Sequence, residues 1–551
     1  MPEVGATRYI GDLDPASVLL TLRKLEKNNI GVWVKGVSVN QPVNQHLVAY
    51  LNSLHAFDLP PRQDREGLLA IYFKYINPIL PLLDQDKFLH QHARDECPTL
   101  LLHAVLLAAC RHNEARRFLH LRSPRHFASL TATKIRALIY ANFERDKLTV
   151  VRVLALLSLH SEGSDGLEKS CSDLEQSFHY AHFLGLHHER QSHPDQTPMR
   201  ALWWSLWCLD RMSACISARP LISRLDDVGV SRLEPHEKTW LAQLFEVCSI
   251  LDKVIAMYRP EDMPVPPPIA MGLDERMLPP EHAAAVAAAA AHAARAKSAG
   301  RKPPPVATQP FVDLLRLVRC AAVILAHKRV PDEQDSSDIL LEAASQITTI
   351  VSSQHSLPPL PVVPYAVSLT LTVYLRLYPA PDAIAGWSRS CAVLDDLSRT
   401  WWVAEAMGSM ARSIFKKLEE DTFASEQTTP LASAPPPLSQ IPVVPLPVVP
   451  VVPLHPPMAP PSLPSPSPMP SPGPATNQVE PTQILDMFSD LPNPTSFLEQ
   501  ALMLDDFAEQ FYAPGLQFEA ETAPAVPDLP PAIPGFQPSG SEESKIYGFA
   551  L

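Results

Sequence analysis

The chain has 551 residues, of which 46% are apolar and 19% charged, with a formal net charge of −13. That length exceeds one ordinary core and predicts roughly two to four structural units, while the negative balance argues against a large phosphate-binding face on the chain as a whole. The 60 prolines are far more than a packed domain carries, so they must gather in a segment that builds no core.

Residues 1–60 read as a lead-in segment. They open on "MPEVGATRYIGDLDPASVLL", which has neither a basic start nor an unbroken apolar stretch, so no secretory signal is expected. From 61 to 258 the period is helical. "REGLLAIYFKYINPILPLL" sets Leu68, Leu69, Tyr72, Phe73 and Ile76 on one face. Asn77-Pro78 then stops the helix, because a residue before proline avoids the α region. "TLLLHAVLLAACRH" is apolar nearly all round and predicts a buried central helix, and "LTVVRVLALLSLHSEG" and "DLEQSFHYAHFLGLHHE" continue the pattern.

Residues 259–309 read as an exposed Pro/Ala-rich insert, since alanine offers little surface to bury. Within it Arg295, Lys297, Arg301 and Lys302 are candidates for nuclear import. A second helical half spans 310–420, and "SRSCAVLDDLSRTWWVAEAMGSMARSIFKKLEE" reads as one long amphipathic helix closed by basic residues. Residues 421–480 read as a disordered linker, with nineteen prolines between 430 and 474. The last segment, 481–551, is acidic and oily. Between 481 and 520 it holds seven carboxylates and no lysine or arginine. Phe488, Phe497, Phe507, Phe511 and Tyr512 are interleaved with them, the pattern of an activation segment that folds into a coactivator groove. The alternative is a helix that docks on the protein's own body. Together these readings predict an all-α antiparallel helical array followed by a Pro-rich and acidic tail.

Chemistry is sparse. Cys97, Cys110, Cys171, Cys208, Cys215, Cys248, Cys320 and Cys391 form no C-x-x-C pair, which suits scattered thiols in a reducing compartment. His179, His182, His187 and His188 read as solvated or hydrogen-bonded histidines and not as metal ligands. "HSEGSDG" has no nucleophile elbow, and "GSDGLEKS" is no phosphate loop. No enzyme site, cofactor or membrane span is expected; the most apolar tract, from Ile441, is broken by proline every few residues.

Three stretches carry a family resemblance. "LLAIYFKYINPILPLLDQDKFL" (68–89), with Tyr72, Phe73, Pro78 and Pro81, is the first. "AHFLGLHHE" (181–189), with Gly185, Leu186 and His187, is the second. "ALWWSLWCLDRMSACISARPLISRLDDVGV" (201–230), with Trp203, Trp204, Asp210, Arg211, Arg219 and Pro220, is the third. In this order they resemble the fungal-specific transcription factor domain, the regulatory region of Gal4-type zinc-cluster and xylanolytic activators. Ala218 stands where that pattern usually has glycine, and Ala201 where it has a second basic residue. The resemblance covers roughly 60–420. It implies a nuclear activator of RNA polymerase II transcription that pairs with itself or a relative, and a Zn2Cys6 module that binds two zinc ions and DNA. No cysteine precedes Cys97, so that module is expected to be missing, with zinc and DNA contact left to an upstream module or a partner. The alternative is a partner or decoy that heterodimerises with a full-length regulator and touches no DNA itself.

The tryptophan-rich stretch is where chemistry and scaffold must be weighed. Arg211 follows Trp207 by four residues, so its guanidinium can stack on the indole and meet a carboxylate from another helix. Asp210 can pair or cap in the same way. The expectation is a scaffold. The competing reading places Trp203, Trp204 and Arg219 on the wall of an effector pocket.

Overall fold

Three short strands come first in the computed structural model: β1 (Thr7–Gly11), β2 (Lys27–Asn28) and β3 (Gly31–Lys35). They pair antiparallel in the order β1-β3-β2, with Tyr9 opposite Trp33. Gly31 permits the close β1–β3 approach, because a Cβ there would lie 2.5 Å from the Ile10 carbonyl oxygen. The lead-in segment thus carries a small sheet that hydrophobic period alone does not reveal in strands of five residues or fewer. The structure describes residues 7–11, 13–14, 27–28, 31–35, 45–120, 122–190, 196–259, scattered positions between 269 and 287, 309–328, 334–353 and 356–427.

Apart from one parallel bridge between His188 and Gly229, everything else of regular structure among the described residues is helical. The first half comprises α1 (Gln45–Ser53), α2 (Arg62–Tyr75), α3 (Gln85–Ala93), α4 (Thr99–Ala109), α5 (Pro124–Tyr140), α6 (Lys147–Leu157), α7 (Gly166–Phe183), α8 (Gln196–Ser217) and α9 (Trp240–Ala256). The second comprises α10 (Pro310–Lys328), α11 (Gln334–Ser353), α12 (Val362–Arg376), α13 (Pro381–Ser398) and α14 (Trp402–Gln427). Leu100 through Ala109 on α4 are all buried, so α4 is the central helix of the first half, packed by α2, α5 and α6. Side-chain caps set several starts: Asp84 accepts from the Lys87 amide, Asp146 from Leu148 and Thr149, and Ser123 from His126. In the second half α12 is surrounded by α10, α11, α13 and α14.

The two halves share one continuous apolar core running from Leu51 to Ala411. α9 packs on α10 and α8 on α12. Polar ties add to this. Arg111, 5% exposed, lies under the Trp401 ring at 4.3 Å and donates to His160 Nδ1 at 2.7 Å. Arg125 donates to Glu162 at 2.7 Å and to Glu405 on α14 at 2.6 Å.

Three expectations are corrected. The stretch expected as one long helix is broken at 399–401, where the Trp401 amide turns back to the Leu397 carbonyl and its indole buries under Arg111. Because the second piece runs on to Gln427, Lys416 and Lys417 sit inside it and do not close it. The insert is not wholly exposed: Leu278 and His282 are buried, and Glu281 accepts from Trp240 Nε1 at 3.2 Å. The import candidates Arg295, Lys297, Arg301 and Lys302 lie outside the described residues, as do the Pro-rich linker beyond 427 and the acidic segment with Phe488, Phe497, Phe507, Phe511 and Tyr512.

Candidate functional site

The opening stretch makes a closed loop between α2 and α3. Asn77, buried after the α2 stop, donates its side-chain amide to the Leu83 carbonyl at 3.1 Å and accepts from the Leu83 amide at 3.2 Å. Tyr72, fully buried, donates to the same Asn77 oxygen at 3.3 Å. Pro78 and Pro81 are half-buried in the loop so formed, and Phe73 packs on Phe88 of α3. Burial raises the Tyr72 phenol far above its ordinary pKa. These residues hold a turn; none presents a reactive atom.

The second stretch ends α7. Gly185 has φ +69°, and Leu186 donates its amide back to Ala181 while Gly185 donates to His182, a left-handed glycine stop. A Cβ there would also fall 2.7 Å from Trp33 Nε1 and 2.8 Å from Tyr9 Cβ. The glycine therefore serves two demands, the helix stop and the approach of the sheet. Trp33 Nε1 donates to the Leu184 carbonyl at 3.1 Å. His187 stands among His182 (4.9 Å), His188 (4.0 Å), Trp203 (5.8 Å) and Tyr9 (5.5 Å), ring centre to ring centre. Burial first, then the neighbouring His188 and His182, lowers its pKa to about 3. Among the described residues no group of three or more His, Cys, Asp or Glu is placed to hold a metal ion, and all eight cysteines are free.

The third stretch is the interior of α8. Trp203, Trp204 and Trp207 have no exposed surface. Trp204 Nε1 donates to the Ser231 carbonyl at 2.9 Å, and Phe245 of α9 fits against Trp204 and Trp207 at 4.8 and 4.9 Å. Neither Trp203 nor Trp204 therefore walls an open pocket. Arg211 and Asp210 are likewise 0% exposed, which is costly for charges unless every polar atom is answered. The Arg211 guanidinium lies 3.8 Å from the Trp207 ring centre. It meets Asp210 at 3.1 Å and Asp252 of α9 at 3.0 Å, and donates to the Ser223 carbonyl at 2.7 Å. Asp210 accepts from Arg219 at 2.9 Å and from the Ile222 and Ser223 amides at 3.0 and 3.4 Å.

Burial pushes the Asp210 carboxyl up; Arg211, Arg219 and the Ser223 amide pull it down. With two guanidiniums and two backbone amides aimed at it, the ionised carboxylate is the form this site fits. Pro220 is exposed at the turn, its carbonyl accepting from Arg219 at 2.8 Å. The network fixes the 218–223 turn against α8 and α9. No nucleophile–base pair sits in it, so its chemistry is charge pairing alone.

What periodicity missed here is the reach of Asp210, whose partners come from a turn twelve and thirteen residues on. The signal available was the run of turn-prone and basic residues after Ser217.

Ala218 ends α8 with φ +53°, a left-handed conformation that costs an alanine about 1 kcal/mol relative to glycine. Ala218→Gly is expected to raise unfolding stability by about 1 kcal/mol, read as a higher urea midpoint with unchanged slope.

Residues 69–258 match the family model described as the fungal specific transcription factor domain. The chain is 31% identical over 191 residues to cutinase transcription factor 1 alpha of Fusarium vanettenii, covering 33% of this chain and 21% of that protein. It is 25% identical over 229 residues to the acetamidase regulatory protein of Aspergillus fumigatus, covering 36% of this chain and 28% of the relative. Cutinase transcription factor 1 beta of Fusarium vanettenii is 27% identical over 208 residues, covering 34% of this chain and 23% of that protein. The chain thus spans about a quarter of the length of the relatives it matches. No solved structure matches it. The loop around Asn77, the Gly185 corner and the buried tryptophan helix all fall within 69–258, the part of the chain that matches the fungal specific transcription factor domain.

Proposed function

We propose that the protein is a nuclear transcription regulator, an activator of RNA polymerase II genes, and not an enzyme. The observation that supports this most is the family match over 69–258, joined by relatives named as transcription factors and regulatory proteins. In this reading the helical body relays a signal. Phe488, Phe497, Phe507, Phe511 and Tyr512 in the acidic segment meet coactivators; repulsion among the seven carboxylates keeps those rings available. Pairing with itself or a relative, zinc and DNA contact follow the family and rest on no residue described here. Among the described residues no helix is long and apolar enough to cross a membrane.

Fusing residues 476–551 to a heterologous DNA-binding domain tests the activating half. Strong reporter expression is expected, and replacing the five aromatic residues by alanine is expected to abolish it. A silent fusion with normal protein levels removes the activator reading.

A further inference from the structure

We propose that the N-terminal sheet is an acid-released strap: protonation of His187 and His188 detaches β1 and β3 from the corner between α7 and α8 while the helical body remains folded.

The histidines are among the groups to which the strap is attached. Tyr9 of β1 packs edge-on against His187 at 5.5 Å and against His188 at 5.1 Å. Trp33 of β3 packs on Tyr9 at 5.0 Å, donates to Leu184, and has Arg190 over its ring at 5.5 Å. Arg8 lies 5.2 Å from the Phe183 ring centre. Undocking the sheet would remove these contacts and open both imidazoles to water; it would leave the α2, α4, α5 and α6 packing intact.

Protonation and docking oppose each other for reasons of geometry. Nδ1 of His187 and Nδ1 of His188 are both buried without a hydrogen-bond partner. In the tautomer that carries its proton on Nε2, a proton added at Nδ1 would create a buried N–H with no acceptor, which costs the desolvation of that group. The two rings lie 4.0 Å apart, so two imidazolium charges would repel at short range. Charged and titratable groups around the pair include His179 and His182 from α7, Glu189 and Arg190 from the loop, Asp227 from the turn at Leu225–Asp227, Arg200 from α8, and Arg8 and Tyr9 from β1. Asp227 favours a charged His182, and the Glu189 carboxylate beside His188 likewise opposes the effect. Glu189 accepts from Ser231, and Arg200 is held by Glu237. Burial lowers the pKa of both His187 and His188, and in water each would return towards 6.5. For His187 alone, about 3 when docked, the docking equilibrium shifts roughly tenfold between pH 7.5 and pH 5.5.

Hydrogen exchange of the full chain at pH 7.5 and 5.5, corrected for intrinsic rates, tests this. Peptides covering 7–11 and 31–35 are expected to lose protection by tenfold or more at the lower pH, with the helical ellipticity undiminished. In His187→Gln/His188→Gln the strap should keep its protection at both values. Unchanged strap protection in the parent chain overturns the proposal, and so does a tenfold loss that persists in the double variant. Should that variant fail to fold, Tyr9→Ala replaces it. Its strap should be unprotected at both pH values, and a surviving tenfold pH response would overturn the proposal equally.

Discussion

Asp210→Ala is expected to lower unfolding stability by about 3–5 kcal/mol. The carboxylate has no exposed surface, so its removal is not repaired by solvent. Arg211 would keep Asp252, which is partly exposed, and the Ser223 carbonyl; it would lose the partner at 3.1 Å. Arg219 would lose its only carboxylate among the described contacts, and the Ile222 and Ser223 amides would lose their acceptor. Buried donors left short of an acceptor, on Arg211, Arg219 and the two amides, are the dominant cost, larger than the value of the pair itself. Urea unfolding followed by tryptophan fluorescence reads this directly, because Trp207 lies against the Arg211 guanidinium. A loss under 1 kcal/mol would mean that solvent or a neighbouring group replaces Asp210.

The second large effect is acid destabilisation of the body. His103, His112 and His160 are 2%, 2% and 5% exposed. His103 Nε2 lies 3.0 Å from the Ala56 carbonyl, His112 stacks on Tyr75 at 3.9 Å, and His160 Nδ1 accepts from Arg111. Burial lowers their pKa values to about 4, about 4 and about 2, helped at His160 by the Arg111 and Arg136 charges. Each folded value lies below the unfolded one near 6.5, so the unfolded chain binds protons that the folded chain refuses. Their contribution is therefore complete above 6.5. It is lost as the pH falls, down to about 4 for His103 and His112 and to about 2 for His160. Between pH 7.5 and 5.5 the three together are expected to remove roughly 4 kcal/mol, about 1.4 kcal/mol each. Urea midpoints across that range check it. His160→Gln should lessen the pH-dependent loss by about 1.4 kcal/mol if it folds, and a flat curve in the parent chain would contradict these assignments.

Much of the helical body was legible because its signals are local. The 68–76 face, the Asn-Pro stop and the 100–109 run, apolar but for His103, each specify structure within two turns. The stacking of Arg211 on Trp207 likewise follows from a spacing of four. What sequence could not show depends on tertiary partners. α5 holds Thr131 and Thr133, whose hydroxyls return to the Phe127 and Ser129 carbonyls, and its buried face mixes Phe127, Ile135 and Leu138 with alanines and Thr131. The break before Trp401 is made by Arg111, almost three hundred residues earlier in the chain. The sheet is specified by its landing on Gly185, again far away in sequence. At the tryptophan helix the residue types announced a special site, but only the backbone turn at 218–223 shows that Asp210 is its hub. The family's glycine position gains a physical meaning in the same place, since Ala218 occupies the left-handed conformation glycine would take without strain.

Buried Asp210 and Arg211, with half-buried Arg219, form one structural unit that joins α8, its following turn and α9. A double-mutant cycle of Asp210→Ala and Arg219→Met, measured by urea unfolding, interrogates that unit most closely. Arg219→Met alone is expected to cost about 1–2 kcal/mol, and the double variant should be little worse than Asp210→Ala, a coupling of about 1–2 kcal/mol. Strictly additive losses would show that the two charges act independently, and the scaffold account of the buried network would fail.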